Sequence, residues 1–207
     1  MKKILIAAAV GMLVVGQVAA QESPWLVRAR AVNLVMANDN STPVAGLGAQ
    51  NKTIPEVDVS YFFNKNVAAE LILTVPQQMH VVSAGGDVGT FKALPPTLTV
   101  QYHFTDLNGY KPYVGAGLNF TRITKVSLGD YSLDNHSYGF ALQAGVDVPL
   151  TKQVSLNFDV KKVQIQSDVY ASGAKAGTLK LDPTLIGVGV TGMKKTEPLM
   201  LHLSSML

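Results

Sequence analysis

The 207-residue chain contains no cysteine, which excludes thiol catalysis, thiolate metal sites and disulfides. Charge is scarce too, at 15% of residues, yet 47% are hydrophobic, so the composition is not that of a disordered chain. A basic cluster is also missing. Part of the formal charge of +3 comes from Lys2 and Lys3; without them 15 basic residues face 14 acidic ones. A nearly neutral body is a poor nucleic-acid binder. Beyond Gln21 no run of about 18 apolar residues exists, so no helix there crosses a bilayer. The length suits one domain, or at most two small ones.

The single long apolar run lies at the start. Met1-Lys2-Lys3 is a positive n-region, residues 4–16 are apolar, and Val18-Ala19-Ala20 supplies small residues before a cut ahead of Gln21. That pattern predicts a cleaved secretory signal over 1–20. An uncleaved anchor is the alternative, but the run is shorter than the roughly 20 residues a spanning helix needs.

The chain after Gln21 is dominated by alternation, the mark of strands with two unlike faces. In 55–64, Val57, Val59, Tyr61 and Phe63 oppose Glu56, Asp58 and Ser60; in 67–75, Val67, Ala69, Leu71, Leu73 and Val75 oppose Glu70 and Thr74. Leu98, Val100, Tyr102 and Phe104 continue the pattern, as do Val114, Ala116, Leu118 and Phe120. Tyr138 to Val148, Val154 to Val160, and Ile186 to Val190 share it, and Val27, Ala29 and Ala31 alternate with Arg28 and Arg30 at the front. Eight strands result. The connections after Phe63, Phe104 and Val148 span about three to six residues, as hairpin turns do. Those near 37–54, 76–91, 127–136 and 170–177 are longer and rich in Gly, Asn, Ser and Asp.

Short turns on one rim and long loops on the other are the layout of an outer-membrane barrel. The predicted fold is therefore all-β: an eight-stranded antiparallel transmembrane barrel with short periplasmic turns and longer extracellular loops, placed in the bacterial outer membrane after export. Closure is required because an open edge would leave backbone groups unpaired in hydrocarbon. A soluble barrel that encloses a ligand would reverse the two faces, and periodicity alone does not choose. The Gly-rich polar face favours the membrane version, since a narrow barrel needs small residues inside.

Several segments carry a resemblance to a known family: Val27-Arg28-Ala29, Glu70-Leu71 with Thr74-Val75-Pro76, Leu94-Pro95-Pro96-Thr97-Leu98, residues 111–121 (KPYVGAGLNFT), Gln143-Ala144-Gly145-Val146-Asp147, and Leu181-Asp182-Pro183 with residues 186–190. In order and spacing, from about Trp25 to Val190, the chain resembles the outer membrane protein W (OmpW) family. The resemblance implies a barrel that passes small hydrophobic molecules, with a lateral route that releases cargo into the bilayer and a lumen not simply open to the periplasm. It also implies insertion by the barrel-assembly machinery. The family ends in a Gly-Tyr-Arg-Phe-like stretch, whereas here residues 191–207 (TGMKKTEPLMLHLSSML) break the alternation. The barrel is thus placed at 21–190, with 191–207 an atypical tail that predicts an incomplete closing strand.

Candidate site residues fall into two groups. Arg28, Arg30, Asp58, Glu70, Asp159 and Lys161 share the polar face. They read as a charged selectivity element of a pore, or as a buried ion-pair network that plugs the lumen; their balanced signs favour the plug. Val32, Leu34 and Met36 lie beyond the two arginines on the same face, and Phe91 and Leu94 join them as a hydrophobic outer vestibule. Loop packing or a register change at a bulge is the alternative for these residues.

No catalytic site emerges. His80, His103, His136 and His202 lack metal-ligand spacing, no Gly-x-Ser-x-Gly element is present, and no cofactor is implied. Two functions stand: passive uptake of small hydrophobic solutes through the outer membrane, or a structural, surface-interaction barrel with a closed lumen. Outer-membrane lipid is a partner in either case, and nothing fixes an oligomeric state.

Overall fold

The computed structural model describes residues 22–42, 46–105, 107 and 109–195. The predicted signal segment 1–20, His202 and the last part of the predicted tail lie outside them. Fourteen strands are described: β1 (Glu22–Val35), β2 (Gly48–Ala49), β3 (Lys52–Phe62), β4 (Val67–Leu73), β5 (Gln77–Ser83), β6 (Gly86–Leu94), β7 (Thr97–His103), β8 (Lys111–Ser127), β9 (Tyr131–Leu133), β10 (His136–Pro149), β11 (Val154–Val163), β12 (Gln166–Ala171), β13 (Ala174–Lys180) and β14 (Thr184–Lys195).

Eight of these, β1, β3, β4, β7, β8, β10, β11 and β14, pair antiparallel in a closed ring, with β1 joined to β14 and β8 to β10. The pairs Trp25↔Tyr61, Tyr61↔Ala69, Ala69↔Val100, Val100↔Ala116, Ala116↔Leu142, Leu142↔Lys162, Lys162↔Thr184 and Thr184↔Val35 trace one circuit. The circuit starts at Trp25 and returns to β1 ten residues further along. With strands about 4.8 Å apart and a rise of about 3.3 Å per residue, that stagger tilts them by roughly 40°.

The two faces sort as the alternation predicts, and the sorting is inside out for a soluble protein. Leu98, Val100, Leu118, Phe140 and Leu142 are exposed on the outside, Phe140 by 66%, while Asp58, Glu70, Thr99 and Asn157 are fully enclosed. Such a continuous exposed apolar surface far exceeds the patch a soluble monomer tolerates. Aromatic contacts bound it at both ends. Trp25–Tyr61 (4.9 Å), Tyr61–Phe63 (5.4 Å) and Tyr102–Phe104 (5.1 Å) stand at the short-turn end, and Phe120–Tyr138 (5.1 Å) at the other. The stagger puts these belts roughly 20–25 Å apart, the height of an outer-membrane apolar band.

Beyond the long-loop end the chain builds a crown. The β5–β6 hairpin continues from β8 through β6, β2 pairs with β5, and β9, β12 and β13 make a separate three-stranded sheet. The two residues between β12 and β13, Ser172 and Gly173, both have positive φ (50° and 83°). This is the type I′ geometry whose twist matches a hairpin. Segments 76–91 and 170–177, expected as long loops, are thus largely strand. The last strand also differs from expectation. It does not stop at 190 but pairs with β1 through Thr191↔Arg28, Gly192↔Val27 and Met193↔Leu26. The register set by β1 carries it through the change in sequence pattern.

Candidate functional site

The lumen has two layers. At the short-turn end, β1 points Arg28 and Arg30 inward two residues apart. Arg28 donates from one guanidinium nitrogen to Glu70 Oε1 (2.7 Å) and from another to Asp147 Oδ2 (2.8 Å). Its plane lies over the Tyr113 ring at 4.7 Å. Arg30 pairs with Asp58, with Glu56 (3.1 Å) and with Asp159 (3.2 Å), and Lys161 bridges Glu56 (2.6 Å) and Asp159 (3.0 Å). All six residues predicted for the charge network are therefore brought together.

Two acids tip its balance. Glu56 and Asp147 belong to it as well, so five carboxylates face three cations among the described lumen residues, and the expected equality of signs does not hold. Neutral donors take up the difference. Glu70 Oε2 accepts from Gln101 (2.6 Å) and Gln143 (3.0 Å), and Asp159 from Tyr113 (2.7 Å) and Gln143 (2.8 Å). Asp147 accepts from Asn157 (2.8 Å) and from Thr191 on the last strand (2.6 Å). Asp58 Oδ1 is buried with no hydrogen-bond donor among the described residues, although Arg30 pairs with the other oxygen of that carboxylate. Glycine makes the room: a Cβ on Gly145 would stand 2.4 Å from the Tyr113 ring, and one on Gly189 would meet the Arg30 stem at 2.7 Å. The layer is sealed by long side chains that fill a narrow bore.

Above it the inward face turns apolar. Val32, Leu34, Ile54, Met79, Phe91, Ile123, Leu181 and Leu185 are buried in one continuous cluster, with Met36 against its edge. Of the vestibule candidates, Val32, Leu34, Met36 and Phe91 are here. Leu94 is not: Ala93 points inward and Leu94 outward, opposite Arg122 on β8. Plain alternation from the buried Phe91 gives this arrangement, since residues three apart in a strand face opposite sides. Toward the crown the cluster opens into a crevice of about 400 Å³, counting the part open to solvent. Its walls are Leu47, Val81, Val88, Leu128, Leu133, Val169 and Leu179, with Tyr131 and Ala176 beside them. Crown residues such as these were out of reach of the sequence, because their hairpins read as loops.

The wall itself is interrupted at the level where the two layers meet. β4 and β7 stop pairing at Ile72↔Thr97, and pairing resumes only at Gln77↔Ala93 between β5 and β6. Residues 73–76 and 94–96 face each other with no ladder, and Pro76, Pro95 and Pro96 have no N–H to build one. On the neighbouring side the β3–β4 ladder ends at Val57↔Leu73, where two further residues would set Pro55 opposite Val75. Side chains occupy the break instead. Thr74 Oγ1 donates to the Pro55 carbonyl (2.6 Å) and Gln77 Nε2 to the Val75 carbonyl (2.9 Å), while Lys52 Nζ reaches the Gln78 carbonyl (2.8 Å). Ile54 and Ala93 of the apolar cluster are sequence neighbours of this window.

Comparison with known proteins agrees with this architecture. A model described as the OmpW family matches residues 16–193. The "Uncharacterized outer-membrane protein y4mB" of Sinorhizobium fredii is 42% identical over 187 residues, covering 84% of this chain and 81% of that protein. Outer membrane protein W of Vibrio cholerae is 34% identical over 177 residues, covering 75% and 81%. The "Dibenzothiophene metabolism operon protein PahQ" of Pseudomonas aeruginosa is 28% identical over 191 residues, covering 83% and 89%. Among solved structures, the outer membrane protein OprG of Pseudomonas aeruginosa superimposes with a TM-score of 0.72 at 20% identity, covering 87% of this chain and all of that one.

Proposed function

The chain belongs to the OmpW family and is an eight-stranded barrel of the bacterial outer membrane; from that premise we propose that it admits small hydrophobic molecules passively and releases them sideways into the bilayer. The observation that carries the reading is the stacking of an apolar chamber on a sealed, ion-paired floor, with an unpaired stretch of wall between them. A solute that partitions from the crown crevice into the cluster around Phe91 and Val32 loses its contact with water. It then meets charges that are bound to one another and offer it nothing. The neighbouring exit without a backbone ladder, among the described residues, is the window at 73–76 and 94–96, beyond which lies hydrocarbon.

One relative supports the class of cargo. PahQ takes its name from dibenzothiophene metabolism, and dibenzothiophene is a small apolar aromatic. The crevice walls, apolar apart from Thr42, match such a molecule in chemistry. The route needs no catalysis and no cofactor.

The absence of native cysteine gives a direct test. Val75→Cys with Leu94→Cys places two thiols opposite each other in the continued β4–β7 register, across the unpaired stretch itself, where antiparallel partners are close enough for a disulfide. Oxidation is expected to abolish saturable uptake of a hydrophobic solute into cells or vesicles, and reductant to restore it. Equal uptake by the oxidised and reduced forms would remove the lateral exit. The sealed floor is also the observation that favours a surface-interaction barrel that passes nothing. That reading requires no saturable flux in the unmodified protein at any solute concentration.

A further inference from the structure

The cations that face outward near the crown end of the barrel do not all have partners. Lys52 Nζ donates to the Gln78 carbonyl at 2.8 Å, and Lys162 Nζ to the Asp182 carbonyl at 2.5 Å. Arg122 and Lys92 have no acceptor and no carboxylate partner among the described residues. They are near each other. Arg122 on β8 stands opposite Leu94 on β6, and Lys92 is two residues further along that same face. Across the other edge of β8, Arg122 stands opposite His136, whose ring stacks on Phe120 at 5.6 Å. Directly opposite residues in a sheet have Cβ atoms about 5 Å apart and diagonal ones about 7–8 Å. Two long cationic side chains at these positions can therefore converge on one anion.

Their height is informative. Arg122 lies just past the aromatic belt of Phe120 and Tyr138, at the edge of the apolar band and on its lipid-facing side. In a bacterial outer membrane the outer leaflet at that depth presents the phosphorylated glucosamines of lipid A. We propose that Arg122 and Lys92 form a phosphate site for one lipid A molecule, held beside the wall window. The site adjoins the window through the strand itself: Leu94, opposite Arg122, begins the unpaired stretch, and the Phe120 amide donates to the Pro96 carbonyl at 3.0 Å. A lipid A whose phosphate is fixed here lays its acyl chains along the gap, so the first hydrocarbon a released solute meets belongs to a bound lipid. Guanidinium and ammonium groups with no internal partner suit this ligand, because charge-assisted hydrogen bonds to phosphate are the strong ones.

The test uses the full chain folded in detergent micelles, with lipid binding measured by mass spectrometry of the intact complex. Diphosphoryl lipid A, dephosphorylated lipid A and inorganic phosphate are compared for the unmodified chain, for Lys92→Gln with Arg122→Gln, and for Lys162→Gln. Diphosphoryl lipid A is expected to bind the unmodified chain and the Lys162 variant alike, and the double variant at least about tenfold more weakly. Dephosphorylated lipid A should bind weakly throughout, and Arg122→Lys should retain most of the affinity. Equal affinity in the double variant, an equal loss in Lys162→Gln, or binding that ignores the phosphates overturns the site. So does saturation by inorganic phosphate at the same concentrations, since the anion would then need no lipid. Both altered residues face outward, and an unchanged heat-dependent gel shift verifies that the variants are folded. Failure here is read in lipid binding and failure of the transport reading in solute flux, so the two remain distinguishable.

Discussion

The two halves of the lumen bury similar lengths of the same strands by opposite means. Below, Arg28 and Arg30 are held by named oxygens at fixed distances. Above, Val32 and Leu34 continue the same face of the same strand with no directional contact. Removing a charge from water costs several kcal/mol, which an ion pair offsets only if every partner is in place. The lower half is consequently specific and intolerant of gaps. Apolar contacts are non-directional and scale with area, so the upper half can rearrange around a guest. The proposed uptake of varied small molecules without passage of ions calls for that division.

The contrast can be broken most severely from below. Arg30→Met would leave Glu56, Asp58 and Asp159 without their shared cation, and removing one partner of a buried pair costs about 3–5 kcal/mol. Urea unfolding in vesicles should show at least that loss; a loss below about 1 kcal/mol would make the network dispensable. The matching change above, Phe91→Ala, is expected to cost about 3 kcal/mol, the low end for a buried aromatic, because the crown can partly collapse. It should also raise the uptake rate of bulky apolar solutes. If instead it blocks uptake, the upper half is not a passage. A smaller effect is expected from Glu70→Gln, which keeps the shape of the floor. Conductance in planar bilayers should keep its ion selectivity, and a strong change would turn the plug into a pore.

The smallest effect lies in the crown. Asp168 accepts from Lys175 (2.5 Å) and Thr178 (2.8 Å), which hold its carboxyl below the usual carboxylate range. A lowered value contributes stability that is complete above the ordinary carboxylate titration, about pH 4, and is lost as pH falls through the folded-state value. Asp168→Asn should therefore speed hydrogen exchange in β12 and β13 at neutral pH, leaving the barrel amides unchanged. No change in the hairpin would show that its type I′ turn suffices.

The barrel was legible because its side chains repeat every two residues and its two surroundings, lipid and lumen, differ as strongly as surroundings can. The charge layer was legible for the same reason. Glu56 and Asp147 already stood on the polar face, but alternation does not tell which polar residues reach one another across a bore. The crown was hidden by its own chemistry. Met79 and Val81 alternate with Gln78 and His80 just as barrel residues do, yet the run is short and ends in Ala84-Gly85, a turn signal. Leu94 was misplaced because the segment around it read as loop; as a strand, residues three apart face opposite sides, and Phe91 and Leu94 separate. Thr191 was missed because it comes after the point where the familiar pattern stops, although its hydroxyl serves the same carboxylate as Arg28.

That carboxylate has a consequence for how the molecule is made. Asp147 is held by Arg28, 119 residues earlier, and by Thr191, 44 residues later, so its partners come from the first and last strands. Contacts of such sequence separation form slowly, because the intervening chain must be ordered first. Until the seam between β1 and β14 closes, this carboxylate lacks part of its shell, and a half-closed sheet that carried it into hydrocarbon would be heavily penalised. Seam closure and interior neutralisation thus become one kinetic event, which commits the chain to entering the membrane as a finished cylinder and not strand by strand.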